Sequence, residues 1–240
     1  ELGGDISLKF PTFLLPFATR DIKRNVRATT EINGSYSYRN RPKEYTGIVT
    51  GIGFKYNWSE RFEIKHNVDV LNISYVYYPF ISPEYRAYLS TSPYFVYNFQ
   101  NHLIMRTGYS GSYSSFRPLQ PLRNYSTLNY GIETAGNLLY GMNNLLNSKK
   151  DTAGTFKIFG IRYAQFVKTD FNVTRHQIFD KNNRIVYHAG IGVALPYGNN
   201  NLIPFEKRYF SGGANSVRGW TAYQLGPGTY KSNGGYIDYN

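Results

Sequence analysis

The residues able to do covalent or metal chemistry are few and scattered. Four histidines, His66, His102, His176 and His188, lie far apart and lack the short spacing of a zinc site. Cysteine is absent, which excludes disulfides, thiolate metal sites and cysteine nucleophiles. No Gly-x-Ser-x-Gly elbow occurs, so a serine hydrolase of that type has no support. Glu133 and Asp170 are a possible carboxylate pair, but two carboxylates in a sheet ordinarily balance nearby Lys and Arg, and a glycosidase is not indicated. Gly212-Gly213 is not a phosphate loop, because no Gly-Lys-Ser/Thr follows it. Basic residues interleaved with tyrosines resemble a single-strand nucleic-acid groove in composition, yet they are spread over the chain without the clustering such a groove needs. The expectation is a protein that is not an enzyme, with no cofactor, no metal and no nucleic-acid partner.

One segment differs in kind: Phe205-Glu206-Lys207-Arg208-Tyr209-Phe210-Ser211-Gly212-Gly213-Ala214-Asn215-Ser216-Val217-Arg218-Gly219-Trp220. Gly212 and Gly213 permit a tight bend with positive φ. Ser216-Val217 reads as extended, Arg218 is a fork of donors, Gly219 lets the backbone fold closely and Trp220 anchors. An apolar–Arg–Gly–aromatic tip suits insertion into a cavity where an acidic or carbonyl partner meets the guanidinium. The plainer reading is a surface hairpin with a solvated arginine.

What must hold this segment is a set of strands. Even positions from Val26 to Tyr38 are apolar, small or aromatic (Val26, Ala28, Ile32, Tyr36, Tyr38), and the odd ones are polar (Arg27, Thr29, Glu31, Asn33, Ser35). Strand side chains alternate between faces, so this is a long strand with one greasy and one wet side. The same alternation recurs over Asp5–Leu14, Ile48–Trp58, Leu71–Tyr77 (less tidily), Leu103–Tyr113, Leu128–Ile132, Phe159–Val173 and Ile185–Leu195, which makes about eight strands. Most are long enough for the roughly 9–11 residues a tilted membrane strand needs. Aromatics near strand ends (Tyr36, Tyr38, Tyr56, Trp58, Tyr75, Tyr77, Tyr78) fit interfacial girdles, and the Gly, Ser, Thr and Asn of the other face suit a hydrated lumen. A soluble β-sandwich or barrel gives the same alternation with its apolar face inward.

The composition agrees. Of 240 residues 24 are Tyr, 16 Phe and 23 Gly, with only 41% hydrophobic, so aromatics replace the aliphatic core of a soluble domain. No apolar run approaches the roughly 20 residues of a transmembrane helix, and no charged-then-apolar leader is present, so any export signal lies outside this stretch. The net charge of +12 attracts polyanions, among them acidic lipid headgroups and lipopolysaccharide phosphates, without choosing between them. The connection over Phe80–Asn101 carries two helix starts, Ser82-Pro83-Glu84 and Ser92-Pro93. The connections Ser59–Asn67 and Asn40–Tyr45 read as brief. Gly136–Thr155 holds a helical stripe, Leu138, Leu139, Met142, Leu145 and Leu146, read as a helix packed on the rim of its own barrel.

The run Arg208–Trp220 resembles the signature loop of the BamA/TamA superfamily, outer-membrane insertases with periplasmic POTRA domains. In that family the tip reads Val/Ile-Arg-Gly-Phe/Tyr after a Gly-Gly run. Val217-Arg218-Gly219 matches it, and Trp220 stands in for the usual Phe or Tyr. Glu1-Leu2-Gly3-Gly4-Asp5, Phe10-Pro11 and Leu225-Gly226-Pro227-Gly228 look like the TamA-like, surface-antigen branch. The resemblance implies an all-β fold, a transmembrane antiparallel β-barrel of the sixteen-stranded type. About eight of its strands, four to eleven, would occupy residues 1–198, and the sixth extracellular loop, folding into the lumen, would occupy 199–240. On this count both long helix-bearing connections fall on the extracellular side. Strands one to three, strands twelve to sixteen and the POTRA domains would then lie outside this stretch.

For function, the resemblance implies a factor of the Gram-negative outer membrane that assembles and inserts client β-barrels, with outer-membrane lipid, lipopolysaccharide, client barrels and accessory assembly subunits as partners. Its lumenal signature loop would comprise Arg208, Gly212, Gly213, Ser216, Val217, Arg218, Gly219 and Trp220, with Arg218 bonded to acidic or carbonyl groups of the later strands. A polypeptide-secretion pore of the same superfamily and a passive outer-membrane porin are the alternatives.

Overall fold

Side-chain alternation over long stretches forces long paired strands, and these build one sheet. A computed structural model of the chain describes residues 1–14, 27–60, 63–90, 99–151, 154–158, 160–214 and 216–220. Eight long strands follow one another: β1 (Leu2–Phe10), β2 (Arg27–Arg41), β3 (Tyr45–Glu60), β4 (Ile64–Ile81), β5 (His102–Ser114), β6 (Tyr125–Ala135), β9 (Phe166–Ile178) and β10 (Arg184–Pro196). Each pairs antiparallel with the next in the order β1-β2-β3-β4-β5-β6-β9-β10. Two short strands, β7 (Lys157–Ile158) and β8 (Ile161–Tyr163), lie off this path, and β8 runs parallel to the start of β5. Helix α1 (Pro83–Leu89) follows β4 and helix α2 (Asn137–Leu145) follows β6.

The register puts every apolar set on one face. Ile32 opposes Phe54 and Gly34 opposes Ile52, while Glu31 opposes Lys55 and Thr29 opposes Asn57. The apolar face is open to its surroundings: Ile52 is 65% exposed and Ile191 66%. That excludes the soluble sandwich, in which this face would be dry protein interior. Two aromatic belts flank the aliphatic band. Tyr36, Tyr38, Tyr75 and Tyr77 lie at the level of Ile48 and Thr50, and Tyr56 and Trp58 lie toward the other end of the same strand. Ile48 to Trp58 spans about 33 Å along a strand, or about 25 Å once tilted, the height of a membrane barrel's apolar band.

Several expected boundaries move, each for a physical reason. β1 ends at Phe10 because Pro11 cannot donate to the ladder. The chain then turns, and Phe13 is buried edge-on against Tyr56 and Trp58 on the apolar side, its backbone neighbours held by the Thr30 hydroxyl. The connection expected over Ser59–Asn67 is shorter, since β4 already begins at Ile64. Residues 161–173 are not one strand: Ile161–Tyr163 forms β8, and β9 starts afresh at Phe166. Ser82 caps α1, its hydroxyl accepting from the Tyr85 N–H at 3.1 Å. The second helix start, Ser92-Pro93, lies outside the described residues, as do Phe159 and Leu225-Gly226-Pro227-Gly228. In α2 only Leu139 of the apolar stripe is buried, and Leu138, Met142, Leu145 and Leu146 face outward.

α1, α2 and the segment after β10 all sit at one end of the strands. Glu63, just before β4, and the turn 179–183 sit at the other. Among the described residues β1 and β10 are the edges of the sheet. Phe13→Ala in the full-length protein, folded in detergent, is expected to cost about 3 kcal/mol, from the lost ring and its cavity. Urea unfolding measures it, and an unchanged midpoint would contradict this packing.

Candidate functional site

The polar face carries an alternating row of charges, placed by strand register. Lys9 opposes Glu31, Glu31 opposes Lys55, and Lys55 opposes Asp69 across three successive pairings. Lys55 and Glu31 approach to 3.4 Å. Arg106 on β5 then bridges Asp69 at 3.1 Å and Glu133 on β6 at 2.7 Å. Glu133 opposes Lys168 on β9. Glu133 therefore acts as an ion-pair acceptor, as its sequence setting suggested.

Onto this row descends the segment after β10. Its base is clamped by Asn199, buried at 2% exposure. The Asn199 amide accepts from the Phe156 N–H at 2.6 Å and donates to the Phe156 and Tyr163 carbonyls at 3.0 Å each. Its own backbone N–H donates to the Gln165 side chain at 2.9 Å. Ile203 is then buried with Ile104, Ala135, Ala164 and Phe166. A turn of 3-10 helix, Phe205–Lys207, and the residues just after it aim Glu206, Lys207 and Tyr209 at three successive strands of the sheet. Glu206 meets His102 of β5 at 3.3 Å. Lys207 donates to Glu133 of β6 at 3.1 Å. The Tyr209 hydroxyl bonds Asp170 and the Thr169 carbonyl of β9.

The Tyr209 ring lies in the hollow left by Gly192 of β10, where a Cβ would come within 2.5 Å of it. The Lys168 ammonium sits 4.1 Å from the ring centroid, a cation–π contact. The charges respond to this enclosure. Burial pushes the Glu206 carboxyl up, but the bond and charge of His102 outweigh it and hold the group below its ordinary value. Burial pulls the Lys207 ammonium down, opposed by Glu133 and assisted by Arg106. Burial and then the Asp170 hydrogen bond raise the Tyr209 phenol.

Of the residues expected in the signature loop, Arg208 donates from Nε to the Ile203 carbonyl at 2.7 Å and bends the stem back on itself. Gly212, Gly213 and Gly219 all adopt positive φ, at 95°, 92° and 88°, as their lack of a side chain allows. Ser216 and Val217 are bends rather than extended strand. The Ser216 N–H donates to the Gly213 carbonyl at 3.2 Å, and the Trp220 N–H to the Val217 carbonyl at 3.4 Å. Val217-Arg218-Gly219-Trp220 is thus a β-turn with Gly at the third position, where a type II turn needs positive φ. The Gly213 N–H donates to the Trp220 carbonyl at 2.7 Å and closes the loop on itself. Arg218 is exposed at the corner and makes no ion pair among the described residues, and Trp220 is 50% exposed.

The structure therefore joins the stem of this loop, rather than its tip, to the described wall. His102, Arg106 and Gly192 have no motif to mark them, and Glu206, Lys207 and Tyr209, though inside the distinctive segment, carry no sign there of their partners on the wall. The sequence signals that do exist are the paired carboxylates Glu133 and Asp170 on polar strand faces. Among the described residues no group of His, Asp and Glu is placed to hold a metal ion. No described helix is long and apolar enough to cross a membrane, which says nothing of crossing by strands.

An antiparallel wall with an apolar outer band, a charged inner row and a glycine–arginine loop latched to that row defines a partial membrane β-barrel. The chain belongs to the Omp85 superfamily of outer-membrane insertion and secretion proteins: the family model described as Omp85 superfamily domain matches residues 11–237. The superfamily likeness read from Arg208–Trp220 is borne out by this match. Members of the superfamily work with client proteins and membrane components. A search of the curated proteins finds no match.

Glu133→Gln removes the one charge shared by Arg106 and Lys207 and is expected to cost about 3 kcal/mol, the scale of breaking a largely desolvated pair. Gly192→Val should dislodge Tyr209 and raise protease cleavage within 203–220 while leaving the barrel folded. Limited proteolysis of the full-length protein in detergent checks both, and wild-type resistance in the Gly192→Val variant would refute the docking of Tyr209.

Proposed function

We propose that the chain is part of a BamA/TamA-like factor, of the TamA-like branch, that assembles client β-barrels in the Gram-negative outer membrane. It is not an enzyme and uses no cofactor. The observation that carries the reading is the latched stem: Glu206, Lys207 and Tyr209 tie the Gly-Gly…Val-Arg-Gly-Trp loop to three successive strands of the charged wall. In this reading β1–β6, β9 and β10 are strands four to eleven, residues 1–198, and 199–240 is the sixth extracellular loop, folded into the lumen. The polar face is lumenal and the apolar face meets lipid.

The mechanism needs no bond-making. A nascent strand in the membrane has N–H and C=O groups that hydrocarbon cannot satisfy. A barrel with a weak seam offers an edge, and the client strand pairs there by β-augmentation. β1 and β10 themselves need pairing in a bilayer, so strands other than these eight close the barrel and hold the seam. The loop acts on the seam from inside. Its stem is fixed to one half of the wall, and its tip presents the Arg218 guanidinium to acidic or carbonyl groups of the other half. Gly212, Gly213 and Gly219 shape that tip, Arg208 braces it, and Ser216, Val217 and Trp220 form its turn. Outer-membrane lipid, lipopolysaccharide, client barrels and accessory subunits are the partners.

One observation favours the rival secretion pore. The polar face bears an open hollow of about 700 Å³ lined in good part by uncharged side chains such as Asn57, Asn67, Ser110 and Asn172, a surface past which an unfolded polypeptide could slide. The two readings part in one experiment. Full-length protein in proteoliposomes is given an unfolded β-barrel client, and the client's membrane insertion is followed by its heat-modifiable gel migration. Arg218→Ala should slow insertion about tenfold, the worth of one hydrogen bond to a charged group. Arg218→Lys should recover it in part, because the ammonium keeps the charge and loses the fork. Wild-type insertion by Arg218→Ala would dismiss the role of the tip. Transport of the client into the vesicle interior without insertion would favour the pore.

A further inference from the structure

Part of the connection between β6 and β9, with Leu139, Phe156 and Tyr163, packs on the outside of the wall. Leu103 and Met105 of β5 belong to the apolar face, since they oppose Tyr75 and Ile73. They pack there against a buried cluster of Leu139, Phe156 and Tyr163. Helix α2 is thus docked on the apolar outer surface, close to the end where the signature loop departs. Asn143, one turn beyond Leu139, fixes this docked side by donating to the Tyr163 hydroxyl at 3.3 Å.

The adjacent stripe of α2 has no protein to cover it among the described residues. Leu138, Met142, Leu145 and Leu146 are 56%, 50%, 85% and 73% exposed, at the i, i+4, i+7 and i+8 spacing of one helix face. Lys149 and Lys150, both exposed, follow after Asn147 and Ser148, and Lys150 also reaches the Phe156 ring at 5.2 Å. The nearest acidic residue along the chain, Asp151, is engaged by Lys157 at 2.9 Å, which leaves a basic surround.

We infer that α2 is an interfacial anchor, laying Leu138, Met142, Leu145 and Leu146 into the acyl boundary of the membrane leaflet while Lys149 and Lys150 bind anionic lipid phosphates. Three features select lipid as the occupant. The stripe is continuous with the lipid-facing wall through Leu103 and Met105. A helix with a greasy stripe and a following basic pair is the form that binds in the headgroup plane. Each lysine near such a surface contributes about a fivefold preference for anionic lipid. The anchor rests on the reading that the apolar face meets lipid. Its consequence is regional: Asn199 ties the base of the signature loop to the Phe156 and Tyr163 segment on which α2 sits, so leaflet contact and loop base share one support.

The test uses the full-length chain in a cysteine-free background, reconstituted in vesicles of phosphatidylcholine alone or of equimolar phosphatidylcholine and phosphatidylglycerol. Leu145→Cys carries an environment-sensitive dye, with Ile52→Cys as the wall control and Asn201→Cys as the solvent control. The dye at 145 is expected to be quenched most by shallow lipid-attached spin labels, the dye at 52 most by deep ones, and both are expected to be shielded from aqueous iodide. Lys149→Glu with Lys150→Glu should abolish the added quenching that anionic lipid brings. A dye at 145 as open to iodide as at 201, with 52 quenched by lipid, overturns the anchor alone. Loss of lipid quenching at 52 as well overturns the membrane reading of the wall.

Discussion

A strand that crosses lipid must keep its parity from end to end, because a slip of one residue turns polar side chains toward hydrocarbon. β4 meets this constraint by a bulge. Below it Ile64, His66 and Val68 face outward, and above it Leu71, Ile73, Tyr75 and Tyr77 do, with the register against β5 shifting between Asp69 and Asn72. The extra residue brings Asp69 and Asn72 onto the polar side together. Arg106 uses both, pairing with the Asp69 carboxylate at 3.1 Å and donating to the Asn72 side chain at 3.3 Å. A device that keeps the outer face apolar thereby also assembles the acidic pocket of the inner row.

The loop stem completes a charge balance that the wall begins. Asp69, Arg106 and Glu133 alone make two carboxylates and one guanidinium. Lys207 supplies the second cation at Glu133. Lys168, the cross-strand neighbour of Glu133, directs its ammonium to the Tyr209 ring. Partly desolvated charges are costly when unmatched. The wall and the docked stem are therefore each other's counter-charge, and orientation of the stem follows from electrostatics rather than from backbone pairing.

The alternation of strands was legible because a period of two repeats locally and each strand carries it independently. The bulge appeared in the sequence only as untidiness around Leu71, since parity can be reset by an extra residue anywhere in the run. The positive φ of Gly212 and Gly213 was legible because few other residues tolerate it, whereas Gly219 read only as a place of close backbone folding. The ion pairs of the stem were not: Lys207 and Glu133 lie 74 positions apart, and only the register of β5, β6 and β9 brings them together. Nor does a helical period say which of two adjacent stripes meets protein. In α2 it is the Leu139–Asn143 side, and a rule that turns the widest apolar stripe inward chooses the other.

The unusual store of tyrosine and glycine has one structural use that unites wall and loop. On three strands a glycine leaves a hollow and a tyrosine ring fills it. Tyr130 covers Gly111 directly across β5 and β6, Tyr78 covers Gly47 across β3 and β4, and Tyr209 covers Gly192 from the loop. Between strands, this covering compensates the weakness of glycine in a ladder. For the loop, the same contact gives a shaped seat without any ladder hydrogen bond. The stem is held as a side chain is held, by ring packing and charge. Its release leaves every strand pairing of the wall intact, which a lumenal element acting on a seam requires.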